Sequence, residues 1–86
     1  MRSSQIGIGI VGYGYWGRNL VRNFAGTPSA NVIGVSDLDP AKLAVMKRSY
    51  PGVMATESYE DLLKDKRIDA IAIATPVHTH PGAYTL

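Results

Sequence analysis

The sequence predicts an α/β chain: the first half of a doubly wound parallel sheet, ordered β-α-β-α-β-α-β with strands in spatial order 3-2-1-4. Three observations lead there. Short apolar runs alternate with segments of helical spacing along the whole chain. A glycine-rich turn joins the first such run to the first helix. A helical segment stands between each strand and the next, and such crossover connections are what parallel neighbours need, so the strands lie parallel. Right-handed crossovers put helices on both faces.

Ile6 to Val11 (IGIGIV) is the first apolar run, and Trp16, Leu20, Val21 and Phe24 then mark one face of a helix over 16–24. Ala25-Gly26-Thr27-Pro28 stops it. Asn31 to Ser36 reads as the second strand. Asp39-Pro40 is a helix start, an N-cap acid followed by proline at the first helical position, and Leu43, Met46 and Tyr50 continue one face. Pro51-Gly52 ends that helix, and Val53 to Ala55 is a short third strand. Ser58 with Asp61 resembles a capping box and opens a short helix through Leu63. Asp69 to Ala74 (DAIAIA) is the fourth strand, apolar on both faces as a central parallel strand should be.

Composition narrows the function classes. Eighty-six residues hold one domain at most, and 45% hydrophobic against 19% charged residues indicates a globular chain. The net charge of +2 comes from scattered basic residues, so a nucleic-acid partner is not expected. With no cysteine there is neither a disulfide framework nor a thiolate metal site. The polar MRSSQ start and the glycine-broken run after it fit neither a signal peptide nor a membrane span, which makes a cytoplasmic location the expectation.

GIGIVGYGYWG contains G-x-G-x-x-G twice, once as Gly7, Gly9 and Gly12 and once as Gly12, Gly14 and Gly17. A phosphate-binding turn must follow a strand and open a helix. The first register would make a strand of polar MRSSQI and would run a helix through three glycines. Each interior glycine costs about 1 kcal/mol relative to alanine. The second register has IGIGIV as strand and WGRNLVRNF as helix, and it is the one that fits. Gly12 then permits the tight turn, Gly14 lets the backbone approach a pyrophosphate, and Gly17 lets the helix pack on the strand. Tyr13, Tyr15 and Trp16 fill the intervening positions and count with the glycines as cofactor-contact residues. Gly7 and Gly9 read as strand positions against which a neighbour packs closely.

Asp37 follows the second strand, 25 positions after Gly12, where an acid is expected about 20 residues on. Its carboxylate suits a ribose diol and repels a 2′-phosphate, so NAD is favoured over NADP. A solvated loop acid is the alternative reading of Asp37. Asp39 is explained by its capping role, and Lys42 either reaches a phosphate or lies on a solvated helix face.

VGYGYWGRNLVRNF, SDLDPAK and AIATPVHTH together resemble the Gfo/Idh/MocA family of oxidoreductases, over Ile6 to about His80. The first stretch looks most like the branch that oxidises nucleotide sugars. The resemblance implies a Rossmann domain and a nicotinamide-dependent enzyme that moves hydride to or from a sugar or polyol carbon. It also implies that Thr75 and Pro76 line the cofactor and that His80 stands near the nicotinamide. From the residues alone, Thr75-Pro76 could simply end a strand and His80 could be a surface histidine. A metal at His78 and His80 is not expected, since no cysteine or nearby acid joins them.

The family's catalytic lysine lies in a Glu-Lys-Pro motif, which does not occur in these 86 residues. The expectation is therefore a partial NAD(P)-binding domain over 1–86, without the substrate domain and without catalytic residues, which alone binds NAD weakly or not at all and is inactive. Self-association through the open edge of the fourth strand, or a rearranged C-terminus covering that edge, is expected as well. The competing function class is a non-catalytic nucleotide-binding or sensing module.

Overall fold

The computed structural model describes residues 5–74. Seven elements alternate: β1 (Ile6–Val11), α1 (Tyr15–Ala25), β2 (Ala30–Ser36), α2 (Pro40–Ser49), β3 (Met54–Thr56), α3 (Tyr59–Lys64) and β4 (Ala70–Ile73). The strands form one parallel sheet in the order β3-β2-β1-β4, as the alternation predicts.

The pleat of β1 sorts its side chains by face. Ile8 and Ile10 point into a core shared with Val21 of α1 and with Leu43 and Met46 of α2. Gly7 and Gly9 point the other way, and there the absence of a side chain is required. A Cβ on Gly7 would stand 1.8 Å from the Arg67 carbonyl oxygen, and one on Gly9 would press on Ile68 at 3.1 Å. The chain between α3 and β4 thus lies directly on β1. Asp69 fixes it there: its N–H donates to the Gly7 carbonyl, and its carboxylate accepts from the Gly7 N–H, both at 2.8 Å.

In β2 the ladder slips by one residue. Ile8 pairs with Val32 but Gly9 pairs with Gly34, so Ile33 is an extra residue. Residues three apart on a regular strand face opposite sides. The bulge lets Val32 and Val35 both enter the core beneath α1 and α2. Gly34 meanwhile receives Leu62 of α3, whose methyl would lie 2.8 Å from a Cβ placed there. Ile10, Val21, Val35, Met46 and Leu62 are completely buried.

Local chemistry sets the element ends. Asp39 caps α2 by accepting from the Ala41 N–H at 2.9 Å, with Pro40 opening the helix. Gly26 donates to the Arg22 carbonyl and the Thr27 hydroxyl donates to that of Asn23, closing α1. After α2, the Lys47 ammonium holds the loop by donating to the carbonyls of Pro51 and Val53 at 2.8 and 3.0 Å.

The start of α3 corrects the sequence reading. The Ser58 hydroxyl makes no capping bond. Instead Thr56 turns its hydroxyl toward this end: its oxygen accepts from the Ser58 N–H, and its proton goes to the Asp61 carboxylate. Asp61 is thereby engaged by the Thr56 hydroxyl, two residues before the Ser58 N–H that a capping box would give it. β3 also begins one residue later than expected, because Val53 turns into the core before the ladder with β2 starts at Met54.

Candidate functional site

At the carboxyl ends of β1 and β2 the chain leaves the sheet toward two different helices, and a cavity of about 730 Å³ opens there. Such crevices at strand ends are where open α/β sheets hold ligands. Its floor is Val11, Ser36 and Ala74, and its rim is the glycine turn.

The turn is built as the second register requires. Gly12 has φ of 100°, a left-handed conformation that only glycine adopts without strain, and its N–H donates to the Ser36 carbonyl at 2.7 Å. Gly17 sits in the first turn of α1, directly over Gly12: a Cβ there would stand 1.8 Å from the Gly12 carbonyl oxygen. Gly14 is different in kind. It has an ordinary φ of −84°, and among the described residues nothing lies nearer to its absent Cβ than the Lys42 ammonium at 3.9 Å. No packing among the described residues demands a glycine at that position; what its bareness leaves there is open space on the cavity rim.

That space faces the start of α1. Among the described residues no side chain caps this helix, and its first turn carries no acid. Its N–H groups and the positive end of its dipole therefore face the cavity, which is the chemistry of an anion seat. Bare backbone at Gly14 beside uncapped N–H groups fits a pyrophosphate.

Asp37 stands at the end of β2 and lines the same cavity. One carboxylate oxygen accepts from the Tyr13 N–H at 2.7 Å and the other from the Asp39 N–H at 2.8 Å. The two bonds hold the carboxylate in place at the cavity and leave each oxygen a further lone pair, enough for two vicinal hydroxyls of a ribose.

The three residues between the glycines divide. Tyr15 and Trp16 are about two-thirds exposed on the rim, with ring centroids 5.4 Å apart in an edge-to-face pair. Tyr13 turns its ring into the core, and only its backbone faces Asp37. Burial, with the nearby Tyr50, pushes the Tyr13 phenol above the ordinary tyrosine range, while Arg18 pulls the other way. Thr75, Pro76, His78 and His80 lie outside the described residues. Ala74, the last described residue, is on the cavity floor.

Four further cavity residues were weakly signalled or missed. Lys42, readable as a solvated helix position, lines the cavity beside the glycine turn. Leu38, Glu57 and Tyr59 line it too. Their signal is topological: in the order 3-2-1-4, residues just beyond β2 and β3 share a mouth with the turn after β1.

The sequence model of an oxidoreductase family with an NAD-binding Rossmann fold matches residues 6–84. The chain belongs to the Gfo/Idh/MocA family. Among curated relatives of this Gfo/Idh/MocA chain, inositol 2-dehydrogenase 1 of Saccharopolyspora erythraea is 35% identical over 80 residues, covering 91% of this chain and 24% of that protein. Among solved structures, scyllo-inositol dehydrogenase of Lactobacillus casei with bound NAD(H) and scyllo-inositol superposes with a TM-score of 0.74 at 32% identity, covering 84% of this chain and 22% of that one. The WlbA dehydrogenase of Chromobacterium violaceum, in complex with NADH and UDP-GlcNAcA, superposes with a TM-score of 0.76 at 27% identity, covering 94% and 24%. The chain spans about a quarter of the length of the curated relatives it matches. The fold and the NAD-binding character expected from the sequence stand. Among the described residues no helix is long and apolar enough to cross a membrane.

Proposed function

We propose that this chain supplies the cofactor half of an NAD-dependent oxidoreductase acting on a CH–OH carbon of a polyol or sugar. One observation carries the reading: the bare backbone at Gly14, the uncapped start of α1 and the oriented Asp37 carboxylate meet at a single cavity. The N–H groups of α1 hold the pyrophosphate, with Lys42 beside it. Asp37 accepts from the adenine-side ribose diol and disfavours a 2′-phosphate, which makes NAD the preferred dinucleotide. When bound, the nicotinamide supplies the hydride acceptor or donor. The relatives named for inositols and the complex with a nucleotide sugar support the substrate class. Thr75, Pro76 and His80 belong to the same proposed site, on the resemblance described above.

The proposal assigns no proton-transfer group to these 86 residues, so the chain by itself binds cofactor without turnover. It also includes self-association: among the described residues β4 has one strand partner, β1, and its other edge is free to pair with a second copy. Sedimentation as a sharp monomer would remove that part.

Trp16 is the single tryptophan and sits on the cavity rim, so its fluorescence reports binding directly. Titration with NAD should change that emission saturably, and Gly14→Val should abolish the change. An emission that ignores NAD, or responds equally in the variant, would overturn the proposal.

A further inference from the structure

Asp37 is not the only carboxylate at the mouth of the cavity. The β2–β3 ladder ends with Ser36 opposite Thr56, and the Asp37 N–H continues it by donating to the Thr56 carbonyl at 3.1 Å. The next residue on each strand is an acid: Asp37 on β2 and Glu57 on β3. Parallel strands in register deliver both to the same rim, and both line the cavity. Glu57 is exposed, and among the described residues no capping or ladder contact accounts for it in the way that Asp39 is accounted for at α2. Among the described residues the one cation lining the cavity is Lys42, and its ammonium lies beside Gly14, on the side of the glycine turn.

We infer that Glu57 is a second specificity-determining residue, acting with Asp37 to exclude a 2′-phosphorylated dinucleotide. The inference rests on the cofactor reading above. A phosphate monoester brings between one and two extra negative charges at neutral pH. Beside Asp37 alone it meets one like charge; beside the paired strand ends it meets two. NAD carries a hydroxyl at that position, which can donate to a carboxylate and gains no repulsion. The charge pattern of the rim therefore has a direction, with a cation at the diphosphate side and two anions at the ribose side.

Dissociation constants for NAD and NADP, measured by calorimetry on the 86-residue chain, test this. Glu57→Gln should tighten NADP about fivefold and leave NAD within about twofold, and Glu57→Lys should go further, because a charge reversal doubles the electrostatic change. Both effects should shrink in high salt. Glu60→Gln makes the same change in net charge on α3, at a residue that does not line the cavity, and should leave the NAD-to-NADP ratio alone. If NADP binding by the unaltered chain is too weak to measure, the same substitutions in an Asp37→Ser background expose what Glu57 contributes alone. Retained NAD binding with an unmoved ratio in both Glu57 variants would overturn the inference while leaving the cofactor reading intact. An equal shift from Glu60→Gln would overturn it in favour of a net-charge effect. Binding of neither nucleotide would overturn both.

Discussion

Gly17 and Gly14 stand three residues apart in one motif, yet the structure predicts opposite consequences for replacing them by alanine. At position 17 the new methyl would sit 1.8 Å from the Gly12 carbonyl oxygen and 2.7 Å from its carbon, both backbone atoms that cannot rotate away. A Cβ does not stand closer than 3.0 Å to another heavy atom, so α1 and the turn must separate by about 1 Å to clear the oxygen. Helix propensity alone would favour alanine there by about 1 kcal/mol. Overpacking costs about 1–3 kcal/mol, and a backbone-to-backbone overlap falls at the upper end of that range or beyond it. The net expectation is a loss of about 2 kcal/mol, a large share of the stability of a domain this small. At position 14 the methyl meets nothing among the described residues nearer than 3.9 Å, and the backbone is extended. Stability should change by less than about 1 kcal/mol, mainly from the weaker preference for alanine at an N-cap. The methyl would nevertheless occupy the proposed pyrophosphate seat, and NAD affinity should fall about tenfold or more, which is about 1.4 kcal/mol of binding energy. Urea denaturation followed by circular dichroism gives the first quantity and calorimetric titration the second. A Gly17→Ala protein as stable as the parent would refute the packing argument. A Gly14→Ala protein that binds NAD undiminished would refute the assignment of the seat.

Three further outcomes are expected. Asp37→Ser should relax the discrimination against NADP, seen as a narrowed ratio of dissociation constants, and should cost about 1–2 kcal/mol of stability because the Tyr13 and Asp39 N–H groups lose a charged acceptor. The raised Tyr13 pKa gives stability that is fully present below the ordinary tyrosine range and is lost as pH rises through the folded value; Tyr13→Phe should remove that loss, read as a flatter alkaline limb of the melting temperature against pH. Lys47→Met should cost about 1 kcal/mol in denaturant titration by freeing the Pro51 and Val53 carbonyls.

What could be read in advance depended on how local the cause was. The glycine register was legible because strand and helix signals flank Gly12 on opposite sides, and Asp39-Pro40 was legible because an N-cap and its helix are contiguous. The cap of α3 was not: Ser58 and Thr56 both offer a hydroxyl near Asp61, and the choice depends on how the chain leaves β3. The bulge at Ile33 was equally hidden, since Val32 and Val35 can share a face only if the ladder with β1 slips. At the site, Asp37 announced itself by its spacing from Gly12. Lys42 and Glu57 become site residues only through tertiary neighbours, α2 lying over the turn and β3 lying beside β2.

The two attachments of Tyr13 have a consequence for the energetics of ligand capture. Its ring is packed in the core with Tyr50 against the same cluster, and its amide is tied to Asp37. The glycine turn is thus pinned on both sides before any nucleotide arrives. The entropy of ordering that loop is lost when the chain folds, not when the dinucleotide docks. Binding should therefore draw little on conformational freedom here, and mutations that loosen the core around Tyr13 should weaken affinity from a distance by returning that freedom to the unliganded loop.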